Sequence, residues 1–135
     1  YKLFISSLQM LSKLSMDYTY FWRELSQDRD LKRIFDYYGN RVELKEWLSL
    51  YHARLDREGS IDKDRYQKMK ATNPKYVLKN YIAQEVIDEV EKGNSERLKE
   101  WLEVLYRPFD EHPSMEKYSL PTPPEHKNYE VSCSS

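Results

Sequence analysis

The sequence predicts an all-α fold of six to seven amphipathic helices followed by an extended, proline-rich C-terminal strap. Apolar side chains recur at helical spacing through most of the chain up to residue 107. Only 3 of the 135 residues are glycine, and all-β proteins need glycine at the positive-φ positions of their turns. Five of the 6 prolines lie from residue 108 onward, where glycine is absent, which favours a stiff, extended chain. We therefore divide the chain into a helical region, 1–107, and a tail, 108–135.

Three helices are predicted before residue 40. Residues 2–14 carry an apolar stripe at helical spacing. Asp17 is a suitable N-cap for a short, aromatic helix over 18–25, because its side chain can accept hydrogen bonds from the first free amides. A third helix is expected over 30–37, stopping at Gly39.

The next pair of helices is predicted around a glycine-containing turn. Residues 41–57 have the clearest pattern, a single apolar face formed by Leu44, Trp47, Leu48, Tyr51 and Leu55. The sequence Glu58-Gly59-Ser60 is expected to end that helix. Asp62 then suits the N-cap of a fifth helix that runs to about Ala71.

Two further helices and the tail complete the prediction. Asn73 is an N-cap type and Pro74 suits a first helical turn, so a helix is expected over 74–92. The following helix, 95–106, has an apolar face of Leu98, Trp101, Leu102 and Leu105. In the tail, hydrophobic side chains are expected to anchor the strap: Phe109, Met115, Tyr118, Leu120 and Tyr129.

Composition excludes several classes of protein. The net charge is -1, so no general positive field would attract nucleic acid or an anionic membrane. No run approaches the roughly 20 apolar residues of a membrane-spanning helix, and we expect a soluble chain. A single cysteine permits no internal disulfide and no cysteine-based zinc site, which favours a reducing compartment.

The chain also lacks the patterns that mark reactive or ligand-binding sites. Its histidines, His52, His112 and His126, are far apart and do not have metal-binding spacing. Three dispersed glycines cannot build a phosphate-binding loop. We therefore predict no catalytic, cofactor-binding or metal-ligating residue. From the residues alone, Cys133 is either an accessible redox thiol or an ordinary thiol near a chain end.

The sequence Asn73-Pro74-Lys75-Tyr76-Val77-Leu78 resembles the C-terminal region of the SelO (selenoprotein O-like) family. Further landmarks follow the same order: Asp17-Tyr18-Thr19, Tyr51 with Arg54-Leu55, Arg107-Pro108-Phe109-Asp110-Glu111, and Ser132-Cys133-Ser134-Ser135. The resemblance covers nearly the whole chain. One departure is Lys79, where the family usually has arginine; lysine keeps the charge but lacks the planar guanidinium fork.

The resemblance implies that the chain is the C-terminal helical part of a kinase-like adenylyltransferase. SelO proteins bind ATP and Mg²⁺ in a kinase-like portion and transfer AMP to hydroxyl side chains of protein substrates. The implied partners are therefore that N-terminal portion and the protein substrates, in the bacterial cytoplasm or a mitochondrion. Cys133 matches the family's terminal cysteine or selenocysteine position, which is associated with redox regulation through a disulfide to the kinase-like core.

A different class of function stays open. The amphipathic helices could form a stand-alone interaction module whose aromatic faces dock a partner helix, without catalytic activity. The two hypotheses differ in whether helices 41–57 and 95–106 have their apolar faces covered within the chain.

Overall fold

The computed structural model describes residues 1–126 and divides the chain into two compact units, Tyr1–Asn73 and Pro74–Ser135. The described residues form seven α-helices and two short 3₁₀ helices, with no strand among them. The all-α prediction is confirmed. The boundary between the units lies at Asn73, whereas the predicted division between a 1–107 region and a 108–135 tail stays a prediction.

The first unit contains five α-helices around one apolar core. They are α1 (Lys2–Lys13), α2 (Tyr18–Leu25), α3 (Lys32–Tyr38), α4 (Val42–Glu58) and α5 (Asp62–Thr72). Helix α1 packs against α4. The apolar residues with no exposed surface are Phe21, Leu25, Leu31, Ile34 and Leu44. The predicted apolar face of α4 is confirmed, since four of its five residues are buried and Tyr51 stacks on Trp47 with ring centroids 5.2 Å apart.

Local signals set most of the helix ends in this unit. Asp17 caps α2 as predicted, because its Oδ1 accepts a hydrogen bond from the Tyr20 amide at 2.8 Å. Gly39 and Gly59 end α3 and α4 at positive φ, 87° and 60°. Asp62 is not an N-cap: it is the first residue of α5, and its carboxylate accepts from Arg65 at 2.7 Å.

Helix α3 begins later than predicted. Both carboxylate oxygens of Asp28 accept hydrogen bonds from backbone amides, those of Asp30 at 2.9 Å and Lys32 at 3.0 Å. Leu31, the residue before the helix, has φ 53° and a fully buried side chain. The turn stabilised by Asp28 therefore occupies the positions that the sequence pattern assigned to the first turn of the helix.

Helix α5 has no buried residue of its own, so polar contacts attach it to α2 and its neighbours. Arg23 on α2 is buried, and its Nη1 donates to the carbonyls of Lys70 at 3.1 Å and Asn73 at 3.0 Å. The side-chain amide of Asn73 donates through Nδ2 to the Ser26 hydroxyl at 3.0 Å. Two carbonyls at the C-terminal end of α5, those of Lys70 and the C-cap Asn73, thus accept hydrogen bonds from one side chain of another helix.

The second unit is built on α6 (Asn80–Glu91) and α7 (Glu96–Tyr106), followed by 3₁₀ helices at Pro113–Ser119 and Pro124–His126. Helices α6 and α7 pack together. The core cluster contains residues from before, within and after these helices: Tyr76, Tyr81, Ile82, Val86, Trp101, Val104, Met115 and Tyr118.

The predicted helix over 74–92 is wrong in its first six residues. Asn73 is the C-cap of α5 instead of an N-cap, and α6 begins only at Asn80. The physical reason is a competing set of hydrogen bonds. The amides of Lys75 and Tyr76 both donate to the carbonyl of Pro108, at 2.9 and 3.4 Å, and therefore hold this connection in a non-helical conformation.

The apolar face of α7 is only partly covered. Trp101 is buried as expected, but the second buried residue is Val104, which was not predicted. Leu98, Leu102 and Leu105 are 36%, 59% and 37% exposed.

The described part of the tail is not wholly extended, because it forms the two 3₁₀ helices. Of the predicted anchors, Met115 and Tyr118 are buried, Leu120 is half-buried and Phe109 is 41% exposed. The fifth anchor, Tyr129, lies outside the described residues.

Candidate functional site

The connection between Asn73 and α6 holds the chain that follows α7. Its residues Lys75, Tyr76 and Lys79, together with the segment 107–120 that they contact, are called the tail-anchoring site below. The Pro108 carbonyl accepts hydrogen bonds from the backbone amides of Lys75 and Tyr76. These bonds join two of the sequence landmarks, the one that contains Lys75 and Tyr76 and the one that contains Pro108.

Tyr76 is the central side chain of this site. It is 1% exposed, and its ring packs edge-on against His112 with centroids 5.3 Å apart. Its hydroxyl donates to the His112 carbonyl and accepts from the His112 amide, each at 3.2 Å. Burial raises the pKa of the Tyr76 hydroxyl. The hydroxyl therefore stays neutral and can donate one hydrogen bond while it accepts the other. One side chain thus satisfies both backbone groups of a residue in the tail.

Lys75 fixes the tail by charge. Its ammonium contacts the carboxylates of Glu111 and Glu116, the latter at 2.7 Å. Burial acts to lower the pKa of Lys75, but the hydrogen bonds that its ammonium donates to the two carboxylates outweigh this effect, and the pKa is raised. The lysine is therefore charged at neutral pH and bridges the start of the tail to its first 3₁₀ helix.

Lys79 and α7 hold the end of that 3₁₀ helix. The Lys79 ammonium donates to the carbonyl of Leu120 at 2.7 Å. A carbonyl needs one well-directed donor, which lysine supplies without the guanidinium fork. Nearby, the Tyr118 hydroxyl contacts Arg97 and donates to Glu85 at 3.3 Å, and its ring lies 5.3 Å from Trp101 in an edge arrangement.

The contacts of the tail-anchoring site position the segment 107–120. Each histidine has a contact of its own: His52 and His112 contact backbone carbonyls, and His126 stacks on Tyr81 at 4.9 Å. Within residues 1–126, no group of three or more His, Cys, Asp or Glu side chains could hold a metal ion. None of the helices described is long and apolar enough to cross a membrane. Cys133 lies outside the described residues.

Sequence reasoning did not find the roles of Tyr76, Glu111 and Glu116. Tyr76 lies between Lys75 and Lys79, in a segment that the sequence pattern assigns to the first turns of a helix. Helical spacing of apolar residues therefore does not predict that Tyr76 is buried. The two glutamates are distant from Lys75 in sequence. The one signal in the sequence is opposite charge, since Lys75 lies in one landmark and Glu111 in the other.

Comparison with known proteins identifies the family. Residues 1–106 match the family model described as "Protein adenylyltransferase SelO". The chain belongs to the SelO family. Within that family, it is 40% identical over 136 residues to the protein nucleotidyltransferase YdiU of Aliivibrio salmonicida (strain LFI1238). The alignment covers 99% of this chain and 28% of that protein.

Two other relatives from the SelO family also align with nearly the whole of this chain. The chain is 40% identical to protein nucleotidyltransferase YdiU of Stutzerimonas stutzeri (strain A1501) and 33% identical to that of Hydrogenovibrio crunogenus (strain DSM 25203 / XCL-2). In both cases 95% of the chain aligns with 27% of the relative. This SelO chain thus spans little more than a quarter of the length of the curated relatives that it matches.

Proposed function

We propose that this chain is the C-terminal helical part of a longer SelO-type enzyme that transfers AMP from ATP to hydroxyl side chains of protein substrates. One observation carries the proposal: the chain matches the adenylyltransferase family over residues 1–106 and aligns almost end to end with proteins named nucleotidyltransferases. The chain covers 28% of such a relative, and in this proposal the ATP and Mg²⁺ sites belong to a kinase-like portion outside this chain.

In this proposal the chain supports the catalytic portion and contributes no group that reacts in AMP transfer. The tail-anchoring site gives the support a specific form. It holds residues 107–120 by a buried tyrosine, a charged lysine and a lysine–carbonyl hydrogen bond, and the chain then continues towards Cys133.

The second part of the proposal concerns regulation: Cys133 controls AMP transfer by thiol–disulfide exchange. Its thiolate displaces one thiol from a small-molecule disulfide such as oxidised glutathione. A second cysteine of the longer polypeptide then displaces the other thiol. The products are one intramolecular disulfide and two reduced small thiols, so two electrons pass from the protein to the small disulfide.

Cys133→Ser in the full-length polypeptide is the test. AMP transfer is measured for wild type, Cys133→Ser and the neighbouring Ser134→Ala, after equilibration with oxidised or reduced glutathione. We expect wild type and Ser134→Ala to differ between the two conditions, and Cys133→Ser to be insensitive, because it cannot form the disulfide. Equal redox responses in all three would remove Cys133 from regulation, whereas no AMP transfer under any condition would contradict the proposed activity itself.

One observation favours the second candidate, a helical interaction module. The rings of Phe21, Trp22 and Trp47 pack against one another within the first unit, and the apolar face of α4 is buried there. Each unit thus has a core of its own, as an independent module would need. AMP transfer by the full-length polypeptide would decide against this candidate.

A further inference from the structure

Helix α7 has a wider apolar surface than the core of its unit uses. At 100° per residue, its apolar positions Leu98, Trp101, Leu102, Val104, Leu105 and Tyr106 cover about 200° of the helix circumference. A helix that packs on one core needs an apolar stripe of roughly 100°. Only Trp101 and Val104, at one edge of the arc, are buried. The remaining width suggests a second interface.

The uncovered part of the arc is continuous. Leu98, Leu102, Leu105 and Tyr106 are 36%, 59%, 37% and 86% exposed, and they occupy adjacent positions around the helix. These four residues are called the α7 strip. The charged side of α7 lies beyond it, where Glu103 pairs with Arg107 across one helical turn. A surface that covers the strip therefore has to be apolar and uncharged where it meets the leucines.

We propose that the α7 strip docks against the part of the longer polypeptide that lies outside this chain. The proposal rests on the proposed function in assuming that such a polypeptide exists, and the shared length supports it, since relatives extend well beyond the matched 28%.

The size of the strip favours this occupant over a second copy of the chain. A stable dimer interface needs roughly 20–30 residues from each side, and the strip supplies four. A small patch suffices within one polypeptide, because covalent linkage provides a high effective concentration.

Leu102 and Glu103 form a matched pair for the test. They are neighbours on α7 and are 59% and 58% exposed in this chain, the latter value for the side chain. Leu102→Cys and Glu103→Cys are made separately in the full-length polypeptide, and maleimide labelling of the α7 peptide is followed by mass spectrometry. We expect Leu102→Cys to label at least about tenfold more slowly than Glu103→Cys. Equal labelling rates would overturn the proposal.

Two additions identify the occupant. Labelling is repeated over a hundredfold dilution, and a photo-crosslinking amino acid is placed at position 102. Protection that persists on dilution, with crosslinks to residues outside this chain, supports the proposal. Protection that is lost on dilution, or crosslinks to this chain or a second copy, overturns it. Leu98→Cys serves as a second probe if Leu102→Cys does not fold.

The readout does not depend on AMP transfer, so the two proposals fail separately. An active enzyme with an unprotected strip contradicts only the docking. A protected strip in a polypeptide that transfers no AMP contradicts only the activity.

Discussion

Replacing Tyr76 with alanine is expected to lower the free energy of unfolding of the second unit by about 3–5 kcal/mol, the usual cost of truncating a large buried aromatic residue. The ring is 1% exposed and its hydroxyl pairs with both backbone groups of His112. The substitution leaves a cavity and removes these two hydrogen bonds. Hydrogen exchange of the α6 amides measures the loss, because their slowest exchange reports opening of the unit.

Two other variants separate packing from hydrogen bonding at this position. Tyr76→Phe keeps the ring and removes only the hydroxyl, so we expect a loss of about 1–2 kcal/mol. Tyr106→Ala truncates a tyrosine that is 86% exposed in this chain. When all three variants are measured in this chain alone, it should change the free energy of unfolding by less than about 0.5 kcal/mol. If Tyr76→Ala were as mild as Tyr106→Ala, Tyr76 would not be the centre of the tail-anchoring site.

Replacing Arg23 with alanine is expected to destabilise the attachment of α5 by about 3 kcal/mol, since hydrogen bonds from charged donors contribute roughly 1.5–3 kcal/mol each. Arg23 is 5% exposed and donates to the carbonyls of Lys70 and Asn73. Helix α5 has no buried residue to compensate. We expect its amides to lose protection from hydrogen exchange while those of α4 change less.

Arg54→Ala is the matched control for Arg23→Ala. Arg54 is exposed, and its ion pair among residues 1–126 is with Glu58 in the same helix, at 2.5 Å, an arrangement that contributes about 0.3–0.5 kcal/mol. Its loss should leave α5 unchanged. An equal loss of α5 protection in both variants would show that general charge, and not the buried guanidinium, holds the helix.

The parts of the fold that follow from local rules could be predicted from the sequence. The Asp17 cap needs only a side chain three residues before the amide it binds, and the ends of α3 and α4 need only a glycine that tolerates positive φ. The buried face of α4 follows from helical periodicity. Each of these features depends on residues within a few positions of each other.

The errors have a common cause, which is competition from distant groups. Pro74 suits a helix start by every local criterion, yet the amides that follow it bind Pro108, more than thirty residues away. Helical spacing places the predicted apolar positions of α7 on one face, but the spacing alone does not show how much of that face the core covers. The site itself depends on Lys75 meeting Glu111 and Glu116, which no local pattern encodes.

The central claim is that this chain is part of an AMP-transferring enzyme. The most direct test is to determine which phosphate of ATP is transferred to the protein substrate. The full-length polypeptide is incubated with Mg²⁺, a protein substrate and ATP carrying the label at either the α- or the γ-phosphate. Adenylyl transfer predicts labelled protein from α-labelled ATP only, with a mass increase of one AMP on a hydroxyl side chain. Label from the γ-phosphate alone would show phosphoryl transfer and contradict the account.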